Sequence, residues 1–208
     1  MPLHIDKIKE VLEKFEGKPQ TTGYIPCYII NSKKTINYKG IGDPSKYDPM
    51  GISGVTIGIG VDLGQTDEIT LKKINVPDDI IIYLKYYLGK KDKEAVYTLH
   101  EKPLQLDKKD VDILTNCMHL YHINMISKRY DKDAGENKFI NLPWQAQAVI
   151  VSILYQRGIN SPKKFPNTWN ALIHQDWKKA SQLFQNPSLW NNYQNRRKEE
   201  GKILEQLV

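Results

Sequence analysis

The sequence predicts an α+β chain: a small N-terminal lobe with one helix and a three-stranded antiparallel sheet, then a mainly helical C-terminal lobe. Three observations predict it. Short β-prone runs punctuated by Gly, Pro and Asn are confined to residues 24–64. Apolar residues spaced three and four apart precede that stretch and dominate everything after Thr66. The segment 143–157 is apolar on nearly all sides, as a central buried helix must be. With 208 residues and a hydrophobic share of 40%, the chain can bury one sizeable core. It reads as a single domain, 1–208, with lobes at 1–65 and 66–208.

In chain order, Ile5, Ile8, Leu12 and Phe15 share one face of a helix over 5–16, with Gly17 as its C-terminal cap. Strands over 24–30 and 35–38 flank a polar turn, a Gly-, Pro- and Asp-rich loop covers 40–54, and a third strand covers 55–61. Helices are predicted over 67–74, over 78–88 with Gly89 as cap, and over 108–130, begun by Asp107 with Asp110 three residues on. The buried helix over 143–157 has Pro143 in its first turn and Gly158 at its end. Three or four shorter helices through Trp169, Trp177, Trp190 and the charged segment 195–207 close the chain.

The net charge of +6, from 30 Lys and Arg against 24 Asp and Glu, favours an anionic partner: nucleic acid, an acidic membrane surface or an anionic wall polymer. Aromatic residues are not interleaved with Lys and Arg on strands as a base-stacking platform requires, so nucleic acid is disfavoured. No stretch approaches the roughly 20 apolar residues of a membrane span, and no signal peptide is read at the N-terminus, so an external substrate would require another route of delivery. Cys27 and Cys117 form either one long-range disulfide or two buried thiols. His119 and His122 lie near Cys117, but Cys117 and His119 do not share a helical face and no fourth ligand is evident. No phosphate-binding Gly loop is present either. The expectation is no metal and no cofactor.

The stretch 54–64 is the most informative. On a period of two, Val55, Ile57, Ile59 and Val61 share one face and Thr56, Gly58, Gly60 and Asp62 the other. Glycine is costly in a strand. Either something approaches that backbone closely, a polymer lying across the sheet being one candidate, or the glycines mark a bulge or tight bend with Asp62 as a turn residue. Glu16, at the C-terminal end of its helix, faces the negative end of the dipole beside Phe15 and Leu12. Both effects favour the protonated carboxyl that a general acid near neutrality requires. The plain alternative is a solvated Glu in a frayed last turn.

Phe15, Glu16 and Gly17, followed by Thr56, Ile57, Gly58, Ile59 and Gly60, resemble the Glu that ends the first helix and the Thr-Ile-Gly-Ile-Gly strand of the T-even phage lysozymes. Residues 152–158, Trp177 with Lys178, Lys179 and Ala180, Trp190, and Asn195 with Arg196 and Arg197 follow in similar order. The extended run to Asp62, Leu63, Gly64 and Gln65 is more similar to the pesticin-like muramidase domain of secreted bacterial toxins.

This resemblance implies a lysozyme-like fold with an active-site cleft between the lobes. It also implies an N-acetylmuramidase that hydrolyses the bond between N-acetylmuramic acid and N-acetylglucosamine in peptidoglycan. Glu16 would be the general acid, Thr56 and Asp62 would position or activate water with inversion, and Arg196 would pair with the catalytic Glu from the last helix. Gly58, Gly60, Tyr155, Gln156, Phe165 and Asn167 would bind sugar. The phage enzymes carry a catalytic Asp nine residues after the Glu, where this chain has Ile25. The pesticin-like pattern places that carboxylate six residues after the Thr, at Asp62, with Asp43 and Asp48 as the next candidates. The implied partners are peptidoglycan glycan strands and an immunity or inhibitor protein. The implied setting is a secreted or phage-encoded monomer acting in the periplasm or cell wall. A lytic transglycosylase, which leaves anhydro sugars, and a non-catalytic wall-binding module are the competing readings.

Overall fold

The structure is a computed structural model that describes residues 3–190 and 193–208. Helix α1 (Ile5–Glu16) buries Ile8, Val11 and Leu12 on one face and stops at Gly17, whose φ of +89° is the left-handed C-terminal conformation. Strand β1 (Gln20–Ile29) follows. Its alternation puts Gly23, Ile25 and Cys27 in the core and Tyr24, Pro26 and Tyr28 on the other face. It pairs antiparallel with β2 (Thr35–Tyr38), β3 (Tyr47–Pro49) and β4 (Thr56–Gly58), and β4 pairs with β5 (Val61–Asp62).

The sheet therefore has five strands, in the order β2-β1-β4-β5 with β3 also on β1, where the sequence predicts three. The difference has two sources. The run 47–49 is too short to stand out from its loop. The predicted strand over 55–61 is a hairpin, because Gly58 and Gly60 take φ of +65° and +71° and reverse the chain.

After the sheet come α2 (Glu68–Lys73), α3 (Asp78–Leu84), α4 (Asp92–Glu101), α5 (Lys108–Ala134), α6 (Trp144–Arg157), α7 (Pro166–Ile173), α8 (Trp177–Gln185) and α9 (Gln194–Glu205). Side-chain caps start several of them: Asp67 accepts from Thr70 N at 2.6 Å and Asp107 from Asp110 N at 2.8 Å. The helix predicted over 78–88 ends early, at Leu84, and α4 is a helix the sequence reading omits; it buries Ala95, Val96 and Leu99. In α6 every residue from 146 to 154 is buried, as its all-round apolar pattern demands.

The chain forms two compact units: one comprises the residues through Phe15 and His119–Val208, the other Glu16–Met118. Each unit gathers the residues that share a core. Ile8 and Leu12 of α1 pack with Ile123, Ile126, Tyr130 and the α6 residues. Leu71, Ile80, Leu84, Leu99, Val111 and Leu114 pack with Ile25, Ile57 and Val61 of the sheet. Among the described residues no helix is long and apolar enough to cross a membrane. Cys27 and Cys117 are both free thiols.

Candidate active site

The hairpin is what brings Thr56 and Asp62 together. Six residues apart on one strand they would be about 20 Å from each other. Folded back, Thr56 lies directly opposite Asp62 and Ile57 opposite Val61. Directly opposed residues point to the same face with Cα atoms about 4.5–5.5 Å apart. On the other side of β4, Thr56 is directly opposite Tyr24 of β1. Tyr24, Thr56 and Asp62 thus form a row across three strands on the face away from the core.

Asp62 is fixed from behind. Its Oδ1 accepts hydrogen bonds from the backbone N–H of Gly54 and of Gly64, both at 2.9 Å. That geometry requires two backbones to touch: a Cβ on Gly54 would lie 2.5 Å from Gly64 Cα. The wide glycine spacing at 54 and 64 is therefore explained by a carboxylate knot. Among the described residues Oδ2 of Asp62 takes no hydrogen bond. Thr56 is only 7% exposed, and its hydroxyl likewise bonds no described residue.

Glu16, the last residue of α1 and the first of this unit, is half-buried. Tyr24 links it to the row. Burial pushes the Tyr24 phenol up, and the charges of Glu16 and Asp62 push it further, so both carboxylates lie within electrostatic reach of one hydroxyl. Sequence reasoning missed Tyr24. Its one signal was the period-two pattern of the strand, which put it off the core face without saying what it stood beside.

The other expected residues of this unit fall as follows. A Cβ on Gly58 would meet Thr115 Oγ1 of α5 at 2.4 Å, so what approaches that backbone closely is the protein's own helix. Gly60 is exposed in the turn. Ile25 is fully buried in the core. Asp43 accepts from Ser45 N and Oγ at 3.0 and 2.7 Å, bonds that hold its carboxyl below the usual carboxylate range, and Asp48 pairs with Lys93 at 3.0 Å. Neither stands in the row with Thr56.

Tyr155, Gln156, Phe165, Asn167 and Arg196 belong to the other unit. Arg196 bonds Glu200 through Nε at 3.2 Å and Ser152 O and Oγ through Nη2 at 3.1 and 2.9 Å, and it lies 4.9 Å over the Phe15 ring. Burial pushes the Glu200 carboxyl up, while Arg197, Ser152 and Arg196 pull it back. Gln156 Oε1 accepts from Arg197 at 2.8 Å, and Tyr155 packs edge-on against His119 and His122. Phe165 and Asn167 line a cavity of about 130 Å³ with Lys164, Thr168, Leu189 and Trp190. Among the described residues no group of three or more His, Cys, Asp or Glu is placed to hold a metal ion.

A family model described as "Pesticin: Bacterial toxin homologue of phage lysozyme, C-term" matches residues 4–178, a span that contains α1, the whole sheet and α6 and ends before Arg196. No curated protein matches the chain.

Proposed function

Because the chain belongs to the pesticin family, bacterial toxin homologues of phage lysozyme, and is on that ground a lysozyme-like protein directed at peptidoglycan, we propose that it is an inverting N-acetylmuramidase. Glycosidic hydrolysis needs a proton for the leaving oxygen and a nucleophile at the anomeric carbon of an oxocarbenium-like centre. Glu16 supplies the proton. A water held by the Thr56 hydroxyl and the open oxygen of Asp62 attacks from the opposite side of the ring, and Asp62 accepts the proton that the water releases. The step leaves Glu16 ionised and Asp62 protonated, and exchange with solvent resets both. The observation that carries this reading is the register that sets Thr56 opposite Asp62, with a phenol beside them that feels Glu16 as well.

In the other unit, Phe165 and Asn167, which line a cavity, and Tyr155 and Gln156 are candidates for sugar contacts, while Arg196 holds Ser152 and Glu200. The protein would act on the wall from the periplasmic side after delivery, and an immunity protein would guard the producing cell.

The test is to incubate purified peptidoglycan with the wild-type, Glu16→Gln and Asp62→Asn proteins and identify the soluble products by mass spectrometry. Wild-type protein should release fragments with new muramic acid reducing ends. Each variant should lose roughly 10²-fold or more in rate, the scale of acid–base catalysis. Fragments ending only in anhydromuramic acid would make the protein a transglycosylase, and binding without product would make it a wall-binding module.

A further inference from the structure

We propose that Tyr24 is a positioning residue of this site: its phenolic hydroxyl donates a hydrogen bond to the water held by Thr56 and Asp62 and fixes the direction of attack. The inference rests on the glycan-hydrolysing reading of Glu16, Thr56 and Asp62. Three features carry it. The first is register: Tyr24 faces Thr56 as Thr56 faces Asp62, so the three side chains rise from the sheet side by side. Thr56 is the short member between two longer ones. Thr56 is therefore flanked by a carboxylate on one strand and a phenol on the other.

The second is hydrogen-bond accounting. A water held by this row can give one hydrogen to Asp62 Oδ2 and the other to Thr56 Oγ1, and has two lone pairs left. If Tyr24 donates to one of them, only the other remains to meet the anomeric carbon. The Tyr24 hydroxyl bonds no described residue, so its proton is available for this. The third is that the phenol is held in its donor form. Tyr24 is half-buried, its neighbours Gly23 and Ile25 are buried, and both nearby carboxylates oppose its ionisation.

The experiment compares wild-type, Tyr24→Phe, Tyr28→Phe and Glu16→Gln proteins on soluble, uncross-linked glycan strands prepared from peptidoglycan. Tyr28 lies on the same face of β1 but is 46% exposed and outside the row, so Tyr28→Phe serves as the control. Tyr24→Phe should lower kcat about tenfold, the scale of one neutral hydrogen bond made in the transition state, and leave KM within about twofold. Its thermal melt should match that of the wild type, and Tyr28→Phe should change neither constant. A Tyr24→Phe protein with wild-type kcat beside an inactive Glu16→Gln protein overturns the role of Tyr24 and leaves the glycan reading standing. A rise in KM at unchanged kcat also overturns it, since that is the mark of a sugar contact. Wild-type protein that releases no reducing ends overturns the glycan reading, and the role of Tyr24 with it.

Discussion

The two carboxylate oxygens of Asp62 differ: Oδ1 is tied to the backbone N–H of Gly54 and Gly64, and Oδ2 bonds no described residue. The resemblance to the pesticin-like pattern proposed this residue because it is a carboxylate six positions after the Thr. It did not point to Tyr24, because the register that sets Tyr24 opposite Thr56 joins strands some thirty residues apart. The other unit offers a different residue-scale consequence. His119 is 2% exposed, and burial pushes its imidazole down to about 4, with His122 lowered by burial as well. A histidine kept neutral in the fold takes up a proton more readily once unfolded. Its contribution to stability is therefore complete above about pH 6.5 and is lost as the pH falls toward about 4, on the order of 3 kcal/mol for His119. Denaturant unfolding at pH 7 and at pH 4.5 should show that loss, and a His119→Met protein should show much less of it. An identical pH dependence in the variant would remove His119 as its source.

The elements most legible in the sequence were those whose pattern is local. α1, α5 and α6 announce themselves by apolar spacing and by Gly17, Asp107 and Pro143 at their ends. The hairpin was not legible. Six is an even number, so a straight strand and a tight hairpin both put Thr56 and Asp62 on one face, and alternation alone cannot distinguish them. What distinguishes them is Gly58, whose φ of +65° and contact with Thr115 leave no place for a side chain. Gly58→Ala should cost about 2–4 kcal/mol, from left-handed strain plus overpacking. Adding Thr115→Ala removes the atom in the way, so the double variant should recover the overpacking part while the backbone part persists. Unfolding curves for the two single variants and the double variant test this. Strict additivity would mean that Thr115 is not what Gly58 makes room for. The omission of α4 has a related cause. Its polar start and single turn of buried Ala95, Val96 and Leu99 give a weak pattern, and burial against the sheet's core decides it.

At the scale of the molecule, composition foretold a sizeable apolar interior but not its partition into two cores. That partition depends on α1 joining residues more than a hundred positions away, which no local window can register. The two unpaired thiols turn the partition into something that can be timed. Cys27 is fully buried in the sheet's core, with its thiol pushed up to about 11 chiefly by burial, whereas Cys117 is partly exposed. A thiol-reactive dye under native conditions should therefore modify Cys117 first and reach Cys27 only when the strands around it separate. The slow phase, followed in a Cys117→Ser protein, becomes a clock for the opening of the Glu16–Met118 unit. If dye reached Cys27 as fast as it reaches a free thiol in solution, β1 would be open far more often than its hydrogen-bonded neighbours allow.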